Sequence, residues 1–378
     1  MNILHINCNY ITTKLHSVMI EHLNQMNIKN TVFVPTYDKK TAITEMKNNE
    51  IVSECFKKND RFFFELKQKK ISKTIERECD INSFDIIHAY TLFTDGNCAM
   101  KLSQKYKIPY VVAIRNTDIN VFFKYRIFLR RRGIKILKNA STIFFLSTAY
   151  EKELFEKYIP NKYKSELLKK IKIIPNGIDD FWYINLYKDE KKLNNKIKKI
   201  EKQEIRLIYA GNIDKNKNIT KTCEAITELK NAGWKVNFIV AGKIKDKTVF
   251  KKIKDKIEYK GILNKEELMK YYRESDIFIM PSIKETFGLV YAEAMSQGLP
   301  VIYTEGQGFD EQFEEGVVGF RVNGKDEKSI VNAIKNICNN YNSISNNCIK
   351  MITKFNWKKI CTDYNNVYNN IVNKDTNL

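Results

Sequence analysis

Short runs of apolar and β-branched residues alternate with longer segments of helical periodicity along most of the chain. In the first half we predict strands at 3–6, 31–34, 85–88, 110–114, 142–146 and 172–174. In the second half we predict them at 205–209, 236–240, 257–260, 277–280 and 301–303. Strands that are separated by helices indicate βαβ units and parallel sheets. The pattern therefore predicts two open α/β domains in tandem, whose ligands bind beyond the carboxyl ends of the strands, in a cleft between the domains.

Helical periodicity is clearest around 15–26 and in four segments of the second half, with a last helix from near Trp357. Those four segments are 220–231, 265–274, 288–296 and 328–339. Turn residues at 175–179 interrupt the alternation, and the stretch 185–204 is dense in Lys, Asn and Glu. We expect domains over 1–180 and 205–355, joined by a charged linker or helical insertion at 181–204 and followed by a helix over 356–378.

Composition limits the function classes. With 378 residues and 43% apolar residues, the chain can form two cores. The eight cysteines form no C-x-x-C pair and do not combine with the four histidines at metal-ligand spacing. No signal peptide and no spanning apolar run is apparent. We therefore expect a cytoplasmic protein, soluble or peripheral at the inner face of a membrane, with no metal site.

The net charge of +21 is the strongest compositional anomaly. It allows three interpretations: nucleic-acid binding, attraction to an anionic membrane, or a lysine-rich composition spread over solvated faces. Residues 121–137 alternate aromatic residues with cations, among them Arg126, Arg130, Arg131, Arg132 and Lys135, which is typical of a basic amphipathic helix at a bilayer surface. A half-buried helix with one solvated face would give the same pattern. No specific nucleic-acid partner is expected.

Two glutamates, eight residues apart, flank a predicted helix start. Glu285 lies in a turn after the strand at 277–280, Gly288 opens the helix, and Glu293 lies about two turns further on. The first turn of a helix offers unpaired backbone N–H groups to an anion, and carboxylates accept hydrogen bonds from sugar hydroxyls. Such an arrangement suits a nucleotide sugar. Alternatively, Glu285 interacts only with the helix dipole and Glu293 is simply solvated.

The run from Ser282 to Pro300, S-x-x-E-x-F-G-L-x-x-x-E-A-M-x-x-G-x-P, closely resembles the signature of retaining GT-B glycosyltransferases of the family 4, or group 1, type. Further segments resemble that family in the family's own order: 174–179, 211–218, 261–272 and 355–357. The resemblance covers nearly the whole chain. It implies a GT-B fold, in which an N-terminal acceptor domain and a C-terminal donor domain face a cleft and the last helix crosses back to the first domain.

The matching positions imply site residues. On the donor side these are Gly211, Asn212, Lys217, Gly242, Ile262, Leu263, Glu285, Thr286, Phe287, Gly288, Leu289 and Glu293. Lys217 would neutralise the diphosphate, Glu285 would face the donor sugar, and Glu293 would bind the ribose. The catalytic candidates are Glu285, Lys217, Arg115 and His88, and the acceptor-side candidates are His88, Arg115 and Asp118. Alternatively, His88 is a structural histidine and Asp118 caps a helix.

Two positions depart from the family pattern. Asn212 stands where the family carries an arginine after the phosphate-loop glycine, which removes one cation unless Lys215 or Lys243 substitutes for it. Residues 9–13 replace the family's glycine pair after the first strand. Both departures bear on how the donor is held.

The resemblance implies transfer of a glycosyl group from a nucleotide diphosphate sugar to an acceptor hydroxyl, with retention and without a cofactor. Because no D-x-D occurs, we expect no metal–diphosphate bridge. The resemblance implies a nucleotide sugar and a glycan or lipid-linked acceptor for surface glycans as partners. The basic charge and the segment 121–137 add an anionic membrane surface. The alternatives are a catalytically degenerate GT-B subunit that supports a partner, and a nucleic-acid-binding protein. Nothing resembles the pyridoxal phosphate lysine segment of the GT-B phosphorylases.

Overall fold

The computed structural model describes residues 1–39 and 49–375, which divide into two units. The first unit comprises 1–146, 150–177 and the segment from Trp357 onward, and the second comprises 147–149 and 178–356. The chain therefore leaves the first unit near Gly177 and returns to it at Trp357. The predicted pair of Rossmann-like domains is confirmed, since each unit is built on its own parallel sheet.

The first unit contains a seven-stranded parallel sheet with the order β3-β2-β1-β4-β5-β6-β7. Its strands are β1 (Asn2–Ile6), β2 (Lys29–Thr36), β3 (Glu50–Glu54), β4 (Ile86–Ala89), β5 (Tyr110–Ala113), β6 (Thr142–Phe145) and β7 (Ile171–Ile173). Its helices are α1 (Leu15–Asn24), α2 (Phe64–Glu78), α3 (Thr94–Tyr106), α4 (Arg130–Asn139), α5 (Thr148–Lys157), α6 (Asn161–Leu168) and α15 (Trp357–Asp375).

Apolar layers cover both faces of this sheet, because successive residues of a strand point to opposite sides. Ile3 joins the layer that contains α1 and α15, whereas Leu4 joins the layer that contains α2, α3 and α4. The helix α15 contributes Trp357, Tyr364 and Tyr368 to its layer. The C-terminal helix is thus part of the core of the first unit.

The second unit contains a six-stranded parallel sheet with the order β10-β9-β8-β11-β12-β13. Its strands are β8 (Glu204–Ala210), β9 (Lys235–Ala241), β10 (Glu258–Tyr259), β11 (Ile277–Ile279), β12 (Val301–Thr304) and β13 (Gly319–Val322). Its helices are α7 (Asp180–Ile184), α8 (Glu190–Ile200), α9 (Ile219–Asn231), α10 (Lys247–Ile253), α11 (Lys265–Glu274), α12 (Leu289–Ser296), α13 (Glu327–Asn339) and α14 (Tyr341–Met351). The sheet order reverses at β8, so the loops that follow β8 and β11 lie side by side at the switch point.

The predicted amphipathic helix over 121–137 does not form as one helix. A π-helical turn covers Asp118–Phe123 and a 3₁₀ turn covers Ile127–Leu129, and α4 begins only at Arg130. The apolar residues of α4, Ile134, Ile136 and Leu137, are buried in the core. For α4 itself, the interpretation as a half-buried helix therefore applies.

Candidate functional site

Four loops at the carboxyl ends of neighbouring strands of the second unit, those after β8, β11, β12 and β13, are joined by hydrogen bonds. After β8, Asn216 pairs with the loop after β11: its Nδ2 donates to the carbonyl of Lys284 (2.8 Å) and its Oδ1 accepts from the Lys284 N–H (3.0 Å). Asn218 donates from its Nδ2 to the carbonyls of Pro281 (3.0 Å) and Gly324 (2.6 Å). After β12, Gln307 accepts from the Glu285 N–H (3.0 Å). The loops thus form one rigid edge around Glu285.

Lys217 and Glu285 meet at this edge. The Lys217 Nζ lies 2.5 Å from Glu285 Oε2, and both side chains are largely shielded from solvent. Lys217 ends a 3₁₀ turn, and the N-cap of that turn, Asp214, accepts the Lys217 backbone N–H through its carboxylate (3.2 Å). The residues are 68 positions apart, and the adjacency of β8 and β11 brings them together. A cation and a carboxylate therefore stand in contact where an anionic, hydroxyl-bearing ligand was expected.

The helix α12 begins beside this pair. Gly288 is its N-cap, with a left-handed φ of 74° that L side chains rarely adopt. A Cβ on Gly288 would lie 2.5 Å from the ring of Tyr291. Phe287, just before it, is buried and packs edge-on against Phe355, with ring centroids 5.5 Å apart. The packing of Phe287 and the bare Gly288 fix the chain just before α12, so that Thr286 follows Glu285 directly and Leu289 begins the helix.

Glycines allow two backbones to approach each other at the ends of β8 and β9. A Cβ on Gly242 would lie 1.8 Å from the carbonyl oxygen of Gly211, and the Gly242 N–H donates to the carbonyl of Gly261 (2.6 Å). Next to Gly211, the carbonyl of Asn212 accepts a 2.6 Å hydrogen bond from the Tyr209 hydroxyl. This departure from the family pattern thus lies in an ordered loop that presents an amide side chain instead of a guanidinium.

The predicted base-binding segment follows β10. Ile262 is 72% exposed, an unusual state for a large aliphatic side chain, and Leu263 is half-buried. Asn264 then caps α11 with a reciprocal capping box with Glu267. The segment therefore offers a fixed apolar surface at the start of a helix.

Glu293 lies on α12 among Trp182, Tyr272, Lys265 and Asp179. Burial raises the pKa of the Glu293 carboxyl to about 7, against the opposing effect of the Lys265 ammonium, while Asp179 adds to the rise. Lys265, the first residue of α11, forms an ion pair with Asp179. Because α11 follows the exposed Ile262, the second glutamate of the signature stands beside the predicted base-binding segment.

His88, predicted as a catalytic and acceptor-side residue, is fully buried in the core of the first unit. Its Nδ1 is 2.7 Å from the Tyr368 hydroxyl, and its ring stacks on Tyr90 with centroids 4.2 Å apart. Burial lowers the pKa of His88 well below its usual value. A neutral imidazole without exposed surface cannot contact an acceptor, so this structure argues against the predicted direct role. Since His88 pairs with a residue of α15, it serves the packing of that helix.

Arg115 and Asp118 form a second cluster, at the end of β5. The Arg115 Nε donates to the carbonyl of Tyr90 (3.1 Å), and its guanidinium remains part-exposed. Asp118 is buried and accepts the backbone N–H groups of Leu92, Phe93 and Arg115. Burial raises the pKa of Asp118 to about 6 although these amides oppose the rise. Asp118 therefore organises the segment that precedes α3 and, contrary to the alternative, does not cap the helical turn that follows it. Arg115 is the member of the pair that is partly exposed.

The loop after β1 is closed by its own side chains. Residues Tyr10–Thr12 form a 3₁₀ turn, and the buried Tyr10 donates its hydroxyl to Glu50 (2.5 Å). The N–H of Cys8 donates to Asp95 Oδ1 (3.2 Å), whose carboxyl has a pKa raised by burial to about 7. The tyrosine-anchored turn occupies the place where the family has a glycine pair.

The sequence did not predict the roles of Asn216, Asn218 and Gln307, whose side chains join these loops. Asn218 carries a weak sequence signal, since its φ of 57° is one that asparagine tolerates better than most residues. A cavity of about 800 Å³ lies elsewhere in the second unit, at the amino ends of β8 and β9, and contains none of the predicted site residues. Across residues 1–39 and 49–375, no three His, Cys, Asp or Glu side chains are grouped as metal ligands.

Family models match both halves of the chain. Residues 18–180 match the model "Glycosyltransferase Family 4", and residues 190–355 match "Glycosyl transferases group 1". Alpha-monoglucosyldiacylglycerol synthase of Acholeplasma laidlawii is 26% identical over 260 residues, 64% of this chain and 64% of that protein. The match therefore spans slightly less than two thirds of that relative.

Two solved structures share the fold along nearly their whole length. Sucrose-phosphate synthase of Thermosynechococcus elongatus superposes with a TM-score of 0.74 at 17% identity, covering 98% of this chain and 99% of that one. HepE of Anabaena, solved in complex with UDP, superposes with a TM-score of 0.68 at 15% identity, covering 97% and 99%. The predicted GT-B fold is thereby confirmed, and the chain is a GT-B protein composed of a glycosyltransferase family 4 domain followed by a glycosyl transferases group 1 domain.

Proposed function

We propose that the protein is a retaining glycosyltransferase that moves a sugar from a nucleotide diphosphate sugar to an acceptor hydroxyl. The observation that carries this proposal is the Lys217–Glu285 pair beside the start of α12, where a cation and a carboxylate lie next to first-turn amides that have no partner within the helix. This set matches the demands of a diphosphate joined to a sugar. The domains of the chain and the UDP complex of the similar HepE support a nucleotide donor.

In the proposed reaction, the bond between the anomeric carbon and the diphosphate oxygen breaks while the acceptor oxygen bonds to the same face of that carbon. The acceptor proton passes to the departing phosphate oxygen, and a nucleoside diphosphate leaves. The Lys217 ammonium and the backbone N–H groups at the start of α12 stabilise the negative charge that develops on the diphosphate, a term of the kind that usually dominates catalysis. Glu285 orients the donor sugar by accepting its hydroxyls.

Glu293, Ile262 and Leu263 are assigned to the nucleoside. A carboxylate accepts two ribose hydroxyl hydrogen bonds, and a flat apolar surface suits the face of a base. The juxtaposition of Glu293 with the first residue of α11 supports this assignment, because α11 follows Ile262 directly. Metal independence is part of the proposal, with Lys217 in place of a divalent cation. Arg115 is assigned to the acceptor or donor phosphate side.

For the acceptor we propose a lipid-linked or polysaccharide hydroxyl in surface glycan or glycolipid synthesis. Support comes from the similar monoglucosyldiacylglycerol synthase, whose name states a glycolipid product, and from relatives named for capsular and teichuronic acid synthesis.

Calorimetric titration with UDP, GDP and ADP in EDTA tests the donor site. We expect one nucleotide to bind without metal and the Glu293→Ala variant to bind it at least tenfold more weakly. The matched control is Glu266→Gln, a change at an exposed carboxylate of α11 that should leave affinity unchanged. Binding of none of the three, with the fold intact, would contradict the proposal for this donor panel, and equal loss in both variants would contradict the role of Glu293.

A catalytically degenerate GT-B subunit is the second candidate, and Asn212 in the ordered loop after β8 favours it, since one phosphate cation is missing. Donor hydrolysis and transfer measured with Glu285→Gln separate the two. Activity that falls in the variant supports the enzyme, and nucleotide binding without turnover in either protein supports the subunit. The anomeric configuration of the product, read by NMR, tests retention.

A further inference from the structure

Large apolar side chains are exposed in two short segments of the first unit. Phe62 is 79% exposed and Phe128 is 73% exposed. Of the fourteen exposed large apolar residues in 1–39 and 49–375, these segments hold seven: Phe62, Phe63, Leu66, Val121, Tyr125, Ile127 and Phe128. Contiguous apolar exposure of this kind marks an interaction surface, because single exposed residues are normally scattered.

Both segments are anchored by neighbours that are packed, so the exposed side chains project from a fixed backbone. Phe64 packs against the same core cluster as Phe122. Phe122 stacks on the buried Phe93 with ring centroids 4.6 Å apart and is covered by the guanidinium of Arg126. The Arg130 Nε donates to the Phe123 carbonyl (2.7 Å) and thereby ties the second segment to the start of α4.

An ion pair links the first segment to α4, the helix that directly follows the second segment. Glu65, which lies between the exposed Phe63 and Leu66 at the start of α2, accepts from Arg132 of α4 (2.7 Å). Lys101 of α3 lies 3.8 Å from the same carboxylate. The segments 62–66 and 121–128 therefore belong to one surface, which we call the aromatic face.

Cations predominate on and around the aromatic face. Residues 119–150 contain seven Lys and Arg and no Asp or Glu. Lys124, Arg131 and Lys135 are exposed. The acidic groups nearby are occupied: Glu65 by Arg132, Asp60 by Lys70 (2.6 Å), and Asp118 by backbone N–H groups inside the core. The face therefore combines apolar side chains with an excess of exposed cations.

We propose that the aromatic face docks on an anionic lipid bilayer. Phenylalanine, isoleucine and tyrosine tips would enter the region between headgroups and acyl chains, and the surrounding Lys and Arg would contact lipid phosphates. The side chains of this face are between 42% and 79% exposed, so they project from the surface, and a bilayer can accept projecting apolar side chains in any arrangement. No helix in the described residues is long and apolar enough to span a membrane.

The docking proposal does not depend on the proposed reaction, because none of its residues belongs to the donor site. Nucleotide titration therefore reports on the donor site and vesicle binding reports on the face, and either can fail alone.

Vesicle flotation tests the proposal, with phosphatidylcholine vesicles that contain either no phosphatidylglycerol or about a third. We expect the intact chain to float with the anionic vesicles only. The triple variant Phe63→Ser, Ile127→Ser, Phe128→Ser should lower the partition coefficient by about 30-fold or more at any salt concentration. The variant Lys124→Gln, Arg131→Gln, Lys135→Gln should lower it by about 30-fold at 0.1 M salt and much less at 0.5 M.

Matched controls carry equal changes at exposed positions outside the face. Leu168→Ser with Ile184→Ser removes apolar tips, and Lys251→Gln, Lys254→Gln, Lys325→Gln removes the same charge; both should float like the unmodified chain. Circular dichroism and nucleotide titration verify that each variant is folded. Equal losses in face and control variants, flotation with neutral vesicles alone, or a folded chain that never floats would overturn the proposal. Loss of an oligomer in the triple apolar variant would also overturn it, because that result would assign the face to a protein partner.

Discussion

At the scale of single residues, Lys217 and Glu285 carry the proposed chemistry. Sequence resemblance predicts both positions, but their contact depends on strand order, since β8 and β11 are neighbours although 68 residues separate the two side chains. The asparagines that brace this contact have no such sequence signal. Their role follows from carbonyls and amides of distant loops, and these meet only once the sheet is assembled.

Replacing Lys217 with Met should lower kcat by about 10²–10³-fold, because the cation acts on charge that develops as the diphosphate leaves. The donor KM should change less. Steady-state kinetics with the donor that the titrations identify would measure this, with Lys230→Met on α9 as a control of equal chemistry. A higher donor KM with an unchanged kcat would show instead that Lys217 acts in ground-state binding.

The raised pKa of Glu293 should make the free energy of unfolding depend on pH. Its folded pKa, about 7, lies above the ordinary value of 4.5, so the folded protein holds a proton that the unfolded chain releases between these values. Stability therefore falls as pH rises from about 4.5 to 7, and the loss persists above 7. Glu293→Gln should stabilise the protein by about 1–3 kcal/mol at pH 8 and change it little at pH 5.

Thermal unfolding at both pH values measures this difference. The control Glu266→Gln should shift the melting temperature equally at pH 5 and pH 8. An unchanged difference in Glu293→Gln would refute the raised pKa. A stabilised variant that binds nucleotide poorly would identify Glu293 as a residue retained for binding at the expense of stability.

At the scale of elements, the strong patterns were predictable and the weak ones were not. The strands with long apolar runs, and α11 with its capping residue Asn264, appear where the sequence places them. The edge strands β3 and β13 were missed because four or five residues with charges give no clear periodicity. The single helix predicted over 121–137 does not form. Its apolar residues lie in two environments: those of α4 are buried in the core, and Ile127 and Phe128 in the preceding turn are exposed.

A side chain at position 177 should disturb the packing of α15. A Cβ on Gly177 would lie 2.4 Å from the buried ring of Trp357. Gly177→Ala should therefore destabilise the protein by about 1–3 kcal/mol, as overpacking does. Denaturant unfolding measures the change, and the same substitution made in a Trp357→Ala background should cost much less. Additive losses would show that the two residues are independent.

At the scale of the whole molecule, the structure locates part of the net charge of +21. Composition alone left nucleic acid, membrane and solvent as alternatives, because it does not show where cations lie or which of them are paired. The structure shows many of these cations in ion pairs and places the exposed Lys124, Arg131 and Lys135 beside the aromatic face.

Since aromatic residues with cations can also stack single-stranded nucleic acid, the two partners must be separated. We expect a 20-nucleotide single strand to bind with a Kd weaker than about 10 µM at 150 mM salt, and with no sequence preference. Fluorescence anisotropy over a salt series measures this. Tight binding that persists at physiological salt would favour the nucleic-acid interpretation over the bilayer.

The return of the chain to the first unit at Trp357 has a consequence for synthesis on the ribosome. About 180 residues separate Gly177 from Trp357, and at typical elongation rates roughly 10–40 s pass between them. During that interval the sheet face that α15 will cover, with the imidazole of His88, waits without its partner Tyr368. The second unit can complete its fold first. The first unit, although synthesised earliest, is therefore the last to complete its core, when α15 packs on its sheet.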